Sequence, residues 1–141
     1  MEGCRLSFRG LALIFFHLKS NHTVVELSLA ENDFSMPDLK DTTSNTNNLT
    51  DKDLKEMESW ISDLFITNNF LKTLSLSRCK IGDHLGRLIS RSIGASCSLE
   101  KLDLSWNELT DDSMGVFFRG IFQSSIEVLN LSSNKLKDKC A

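Results

Sequence analysis

The side chains able to serve catalysis or metal binding are few and scattered in this sequence of 141 residues. The histidines and cysteines are His17, His22, His84, Cys4, Cys79, Cys97 and Cys140. They lack the mutual spacing of zinc ligands, and the cysteines show no paired spacing typical of a disulfide framework. No glycine-rich phosphate loop, nucleophile motif or carboxylate pair stands out. The sequence therefore predicts no enzyme activity, no cofactor, no metal and reduced thiols.

Side chains suited to binding another protein are present, and the two most informative are Arg78 and Trp106. Tryptophan supplies a large contact area and arginine a fork of hydrogen-bond donors, and both are enriched among the energetically dominant residues of protein interfaces. Both stand at the eighth position of a phrase that occurs four times. The phrase has apolar residues at its first, fourth, sixth and eleventh positions and Asn or Cys at its ninth. Its copies begin at Val24, Leu71, Leu99 and Ile126, at spacings of 47, 28 and 27 residues.

Each phrase predicts a short strand with one buried face, because its leucines alternate with polar residues. The side chains between the leucines then point away from the core and align in register between repeats. The predicted partner-binding residues on this face are Glu26, Glu31, Thr73, Ser75, Arg78, Lys101, Asp103, Trp106 and Asn130. Trp106 has a second interpretation, compatible with the first: it packs on Arg78 one repeat away.

An acid stands two residues beyond each closing apolar position and predicts a helix start, because Asp is a favoured N-cap. These acids are Asp51, Asp83, Asp111 and Asp138. Apolar residues at helical spacing follow, and they predict core-facing stripes. The three stripes are Leu54, Met57, Ile61, Leu64 and Phe65; Leu85, Leu88, Ile89 and Ile93; and Met114, Phe117, Phe118, Ile121 and Phe122.

The repeated phrase resembles the leucine-rich repeat family, and the match covers nearly the whole chain. Copies of about 28 residues with a full helix, and Asn or Cys at the ninth position, are similar to the ribonuclease-inhibitor class. The resemblance implies an α/β solenoid, a short horseshoe segment with parallel strands on its concave face and helices on its convex face. It implies a single domain over residues 1–141, with a partial repeat at 1–23 and repeats starting near 24, 71, 99 and 126.

Two departures from the regular repeat are visible. Phe34 and Leu49 compete for one apolar position, so the polar residues at about 35–48 predict an inserted loop. Cys4 aligns with Cys79, so the chain opens inside a repeat, and neither end carries a polar cap. We therefore expect a fragment of a longer array, with self-association through its uncapped ends. The apolar run at 11–18 is interpreted as an end helix in preference to a signal peptide.

The net charge of −3 provides no basic face for phosphate backbones, and no segment is long and apolar enough for a membrane span. We expect a cytoplasmic interaction scaffold that binds a protein partner on its concave face, with cytoskeletal, ciliary or nuclear settings left open. Two alternatives remain: the sensing repeats of a larger multidomain receptor, and a GTPase activator. The second rests on resemblance, since the activator of the nuclear-transport GTPase shares this repeat class, with Arg78 as the candidate residue.

Overall fold

The structure is a computed structural model that describes residues 1–36 and 49–137. Helices and strands alternate along the chain, and the predicted inserted loop at about 35–48 lies almost wholly outside the described residues. The helices are α1 (Phe8–Leu18), α2 (Asp51–Thr67), α3 (Asp83–Ile93) and α4 (Asp111–Gln123). The strands are β1 (Glu26–Ser28), β2 (Thr73–Ser75), β3 (Lys101–Asp103) and β4 (Val128–Asn130).

The four strands form one parallel sheet in the order β1-β2-β3-β4. Each three-residue strand begins at the third position of its phrase, and every pairing joins equivalent positions, as Leu27 with Leu74 and Leu74 with Leu102. The register does not shift even across the 47-residue first interval, because every repeat places the same positions of its phrase in the sheet. The predicted α/β leucine-rich repeat fold is confirmed.

The core lies between the sheet and the helices, where the leucines of the phrases meet the helical stripes. Leu74, Leu76 and Leu104 have no exposed surface. The helices α3 and α4 approach closely at two glycines. A Cβ on Gly86 would lie 2.5 Å from a Leu109 methyl carbon, and one on Gly120 would collide with a backbone oxygen of α3. Glycine is needed there because any larger residue would separate the two repeats.

The helix starts are predicted to within one residue, but the assignment of Asp51, Asp83 and Asp111 as N-caps is wrong. Each is the first helical residue, and the residue before it is the cap. The Thr50 hydroxyl accepts the Asp53 N–H in a capping box, and Thr110 caps α4 in a similar way. Asp138 lies outside the described residues.

Two of these acids, Asp83 and Asp111, instead join neighbouring repeats. Asp83 accepts hydrogen bonds from the Thr110 N–H (2.8 Å) and hydroxyl (2.6 Å), and Asp111 accepts one from the Lys137 N–H (2.9 Å). Burial opposes the charged form of Asp83, but these bonds outweigh it and lower the pKa of the carboxyl below its ordinary value. Asp83 therefore fixes the start of α4, and Asp111 fastens the turn after β4.

The predicted helical stripes form the core except in α4. Met114 and Phe117 are buried, whereas Phe118 is 47% exposed and Phe122 is 89% exposed. The interpretation of these two phenylalanines as core residues is wrong. The described part of the chain packs α4 against α3 alone, so the far side of α4 has no helix over it. Sequence periodicity identifies an apolar surface but not the element that covers it.

The apolar run at 11–18 is part of α1, which confirms the predicted end helix. Phe8, Leu11 and Phe15 are buried, and Phe16 contacts Trp60 of α2 with ring centroids 5.0 Å apart. No helix in the two described ranges is long and apolar enough to cross a membrane.

The two residues that compete for one position in the first repeat are both used. Phe34 is buried and ends the turn after β1, where its N–H donates to the Cys79 carbonyl at 2.8 Å. Leu49 is half-buried against the core and stands directly before the cap of α2. The two residues therefore share the role of one repeat position: Phe34 packs in the core after β1, and Leu49 packs against the core before α2.

Candidate protein-binding surface

The sheet face turned away from the helices, here called the open face, corresponds to the predicted concave face. The parallel register arranges its side chains in three rows, each with one residue from every repeat. The first row is Glu26, Thr73, Lys101 and Val128. The second row is Ser28, Ser75, Asp103 and Asn130. The turn row, just beyond the strands, is Glu31, Arg78, Trp106 and Ser133. All nine predicted binding residues therefore lie in these rows, and Val128, 51% exposed, extends the first one.

The turn row has an unusual backbone conformation. Glu31, Arg78, Trp106 and Ser133 have φ angles of 56° to 59°, in the left-handed region. Residues with a Cβ disfavour this conformation by roughly 1–2 kcal/mol. It persists because the repeats hold it: the Arg78 N–H donates to Ser105 and the Trp106 N–H donates to Ser132, each at 2.9 to 3.0 Å. None of the four is glycine, so the sequence carried no signal for this geometry.

The ninth residue of each phrase fixes the turn that carries this row. The Asn107 side chain accepts hydrogen bonds from the N–H groups of Cys79 and Ile81, both at 3.0 Å. Its amide donates to the carbonyls of Leu76 (2.8 Å) and Leu104 (3.0 Å). One buried carboxamide therefore satisfies backbone groups of two adjacent repeats. Asn32 and Asn134 make corresponding bonds, each to its own repeat and to the repeat before it.

Cys79 reproduces only half of this arrangement. Its thiol donates to the carbonyls of Leu29 (3.1 Å) and Ser77 (3.3 Å), but it has no side-chain carbonyl to accept a bond. The Cys79 backbone carbonyl accepts the Phe34 N–H instead, and the next residue, Lys80, has φ 55°. Burial raises the pKa of the Cys79 thiol to about 11, so this group stays protonated at neutral pH.

The partial first repeat shows the same device. Arg5 follows Cys4 and has φ 56°, which matches Lys80 after Cys79. Gly3 has φ 60° and matches Arg78. The backbone therefore supports the alignment of Cys4 with Cys79 that the sequence predicted.

Trp106 and Arg78 form the most prominent feature of the open face. The guanidinium carbon of Arg78 lies 4.6 Å from the centroid of the Trp106 ring, a cation–π contact between neighbouring repeats. The predicted local packing of Trp106 on Arg78 is thus present, and the tryptophan is still 55% exposed. The guanidinium of Arg78 makes no hydrogen bond or ion pair with any residue of 1–36 or 49–137. Its donors remain available.

The other predicted residues differ in their availability. The side-chain oxygens of Asp103 and Asn130 each accept the N–H of the residue two positions later. These bonds hold the backbone at the end of the strand. Thr73 and Ser75 are half-buried and short, which keeps the middle of the face low. Glu26, Glu31 and Lys101 are exposed, and no side chain in the described part of the chain pairs with them. The acids lie on β1 and its turn, and the unpaired cations lie on the next two repeats.

A line of charges borders the turn row at the tenth position of each phrase. The Lys80 ammonium lies 2.5 Å from an Asp33 carboxylate oxygen, and that of Lys135 lies 3.6 Å from Glu108. The hydrogen bond from Lys80 lowers the pKa of Asp33 and, in return, raises the pKa of Lys80. Exposed pairs of this kind contribute little stability individually.

A cavity of about 240 Å³ lies on the helix side, between α1 and α2. Leu13, Met57 and Trp60 line it together with Arg9 and Asp53. In the described ranges no three His, Cys, Asp or Glu side chains come together as metal ligands would.

This geometry is a parallel sheet with one helix per repeat, whose turns are joined by side-chain hydrogen bonds, and it is the α/β leucine-rich repeat fold. Models described as leucine-rich repeats match residues 71–92, 95–117 and 123–139, and these matches support assignment to the leucine-rich repeat family. No curated protein matches the chain in sequence.

Two solved structures show the same fold. One is the actin-binding site 2 of leiomodin-1, with 16% identity, coverage of 89% of this chain and 62% of that one, and a TM-score of 0.57. The other is the tropomodulin C-terminal domain from Caenorhabditis elegans, with 15% identity, coverage of 85% and 63%, and a TM-score of 0.55. The chain thus spans less than two thirds of either structure, and the likeness concerns the fold alone.

The buried hydrogen bonds of the Asn107 side chain give a first prediction. Asn107→Ala should lower the free energy of unfolding by about 3 kcal/mol or more, because four backbone groups lose a buried partner. Asn134→Ala, at the half-buried end of the sheet, should cost clearly less. Urea denaturation followed by circular dichroism measures both. Equal losses for the two variants would show that the buried ladder is not the dominant constraint.

The turn row gives a second prediction, tested with two exposed glutamates of one repeat. Glu31→Gly should raise the free energy of unfolding by about 0.5–1 kcal/mol, because glycine relieves the left-handed strain. Glu26→Gly, in an extended strand, should lower it, because glycine only adds flexibility there. Both variants remove the same charge. Destabilisation by both, to a similar extent, would contradict the strained conformation at Glu31.

Proposed function

We propose that the chain is a non-enzymatic interaction module that binds a protein partner on the open face, with Trp106 and Arg78 as the central contacts. The observation that carries this proposal is the exposure of Trp106, 55% of its surface, at a position where the backbone is fixed on both sides. A large aromatic side chain that a solenoid holds in solvent adds nothing to the core. It is suited to anchoring a partner.

Pre-organisation supports the same function. Arg78 already lies against Trp106, so neither side chain loses much rotational freedom when a partner binds. The backbone beneath them is held by the Asn107 ladder and by the bonds of the turn row. Binding energy from these contacts is therefore not spent on ordering the surface.

The finer class and setting are also proposals. We place the repeats in the ribonuclease-inhibitor-like class because the last three phrases are spaced by 28 and 27 residues, each helix is complete, and Asn or Cys fills the ninth position. A cytoplasmic setting agrees with the free thiols of Cys4, Cys79 and Cys97. The test of the setting is the position of a fluorescently tagged chain in cells, and secretion would refute it.

The function predicts that Trp106→Ala together with Arg78→Ala weakens partner binding by about 2 kcal/mol or more. The fold should change little, because both side chains project from the sheet. The partner is first isolated with the wild-type chain, and titration calorimetry then measures each variant. Phe118→Ala, exposed on α4, is the control and should neither unfold the chain nor weaken binding. Unchanged affinity of the double variant, with loss on changing α4, would move the site to the helix side.

Actin is the first defined partner to test, because one structure with this fold over 89% of the chain is titled an actin-binding site. The experiment is co-sedimentation of the chain with actin filaments, with a parallel assay on actin monomers. Binding that Trp106→Ala reduces would make actin the partner of the open face. An absence of binding in both assays would exclude actin as the partner, and another protein would then have to be sought.

We further propose that a second copy of the chain can cover the exposed side of α4. Phe118 and Phe122 are exposed there, and Leu129 and Leu131 of the last repeat are only partly buried. Phe118→Ser with Phe122→Ser should therefore reduce self-association, measured by light scattering across a concentration series. The wild-type chain should grow in mean mass with concentration. A wild-type chain that stays monomeric at all concentrations would refute this proposal.

A further inference from the structure

The free donors of Arg78 indicate the chemistry of the partner. The guanidinium carbon of Arg78 lies over the Trp106 ring, 4.6 Å from its centroid. No acceptor from 1–36 or 49–137 bonds to the N–H groups of this guanidinium. A planar fork of donors that is already held in place matches a carboxylate, which can accept two parallel hydrogen bonds.

The charges around this pair favour the same group. Lys101, in the first row of the Trp106 repeat, is exposed and has no ion-pair partner among the described side chains. Asp103, in the second row of the same repeat, keeps its negative charge and accepts the Ser105 N–H at 2.9 Å. In the rows of the second and third repeats, Arg78 and Lys101 therefore stand against this one acid. The acids Glu26 and Glu31 stand on the first repeat. The open face is therefore acidic over β1 and basic over the next two repeats, which orients a bound segment.

The different lengths of the side chains on the open face favour binding of an extended peptide segment. The first and second rows carry short side chains at Thr73 and Ser75, both half-buried, and longer ones border them at Arg78, Trp106 and Lys101. Val128, 51% exposed, adds an apolar surface beside Lys101. An extended chain can lie along the low middle and place side chains on both borders.

We infer that the open face binds an extended acidic peptide segment, with a carboxylate on Arg78, a second one near Lys101, and an apolar or aromatic side chain on Trp106. This inference rests on the proposed function and specifies the partner's chemistry. An acidic residue beside an apolar one is the minimal element that the surface selects.

The test uses phage-displayed random peptides of about twelve residues, selected on the wild-type chain. Enriched sequences should contain an excess of Asp and Glu next to apolar residues. A synthetic enriched peptide should then lose at least about tenfold in affinity for Arg78→Glu/Lys101→Glu. The same peptide with its acids replaced by lysine should prefer that variant. Glutamate already occupies the turn row at Glu31, so the substitution suits the backbone at Arg78.

Lys55→Glu/Arg119→Glu is the matched control, because it changes net charge equally on exposed helical positions. It should retain the wild-type affinity, and circular dichroism verifies that both variants fold. Equal losses in the two double variants would overturn the inference, since only net charge would then matter. An absence of enriched peptides would overturn it as well.

The outcomes also separate this inference from the proposed function. Enriched peptides without an acidic excess, whose binding is lost on Trp106→Ala, would refute the acidic chemistry and leave the open face as the binding surface. Acidic peptides that bind Trp106→Ala and Arg78→Glu/Lys101→Glu as tightly as the wild type would refute both.

Discussion

The buried carboxamide of Asn107 bonds to the backbone of two repeats at once, and the order of the sheet depends on bonds of this kind. The strands have only three residues each, so their own ladders fix little of the chain. The turns beyond them would bury unpaired N–H and carbonyl groups without a side chain to satisfy them. The same bonds hold the left-handed turn that carries Arg78 and Trp106. Core, turn and candidate binding surface therefore share one constraint.

Sequence patterns were sufficient for the fold because the repeated phrase specifies strand, core face and register together. Leu74 aligns with Leu102 because both occupy the fourth position of their phrases. Helix capping was assigned to the wrong residue since Thr110 and Asp111 are both good caps, and only the neighbouring repeat decides between them. Asp111 bonds to that neighbour instead. Phe118 was misplaced for a related reason: its environment depends on an element that the pattern does not contain.

The sequence predicted where the candidate site lies, but not which of its side chains are already engaged in hydrogen bonds. Equal places in the phrase brought Arg78 and Trp106 together, and the structure puts them 4.6 Å apart. That Asp103 is already engaged by the Ser105 N–H is a matter of local geometry that composition does not express. The left-handed backbone of the turn row was also invisible, because residues that favour it, chiefly glycine, are absent from those four positions.

The turns carry a pattern with a period of two repeats. Cys4 and Cys79 are followed by basic residues in a left-handed conformation, whereas Asn32 and Asn107 are followed by acids. Their charges alternate along the array, and Lys80 pairs with Asp33 across one boundary. Asn134 is followed by Lys135, so the charges continue to alternate although the ninth residue there is Asn and not Cys. Loss or duplication of a single repeat would set like charges side by side. Gain or loss of two repeats would preserve the alternation of charge. A pair of adjacent repeats is therefore the smallest unit that such an array can gain or lose without disturbing its charge pattern.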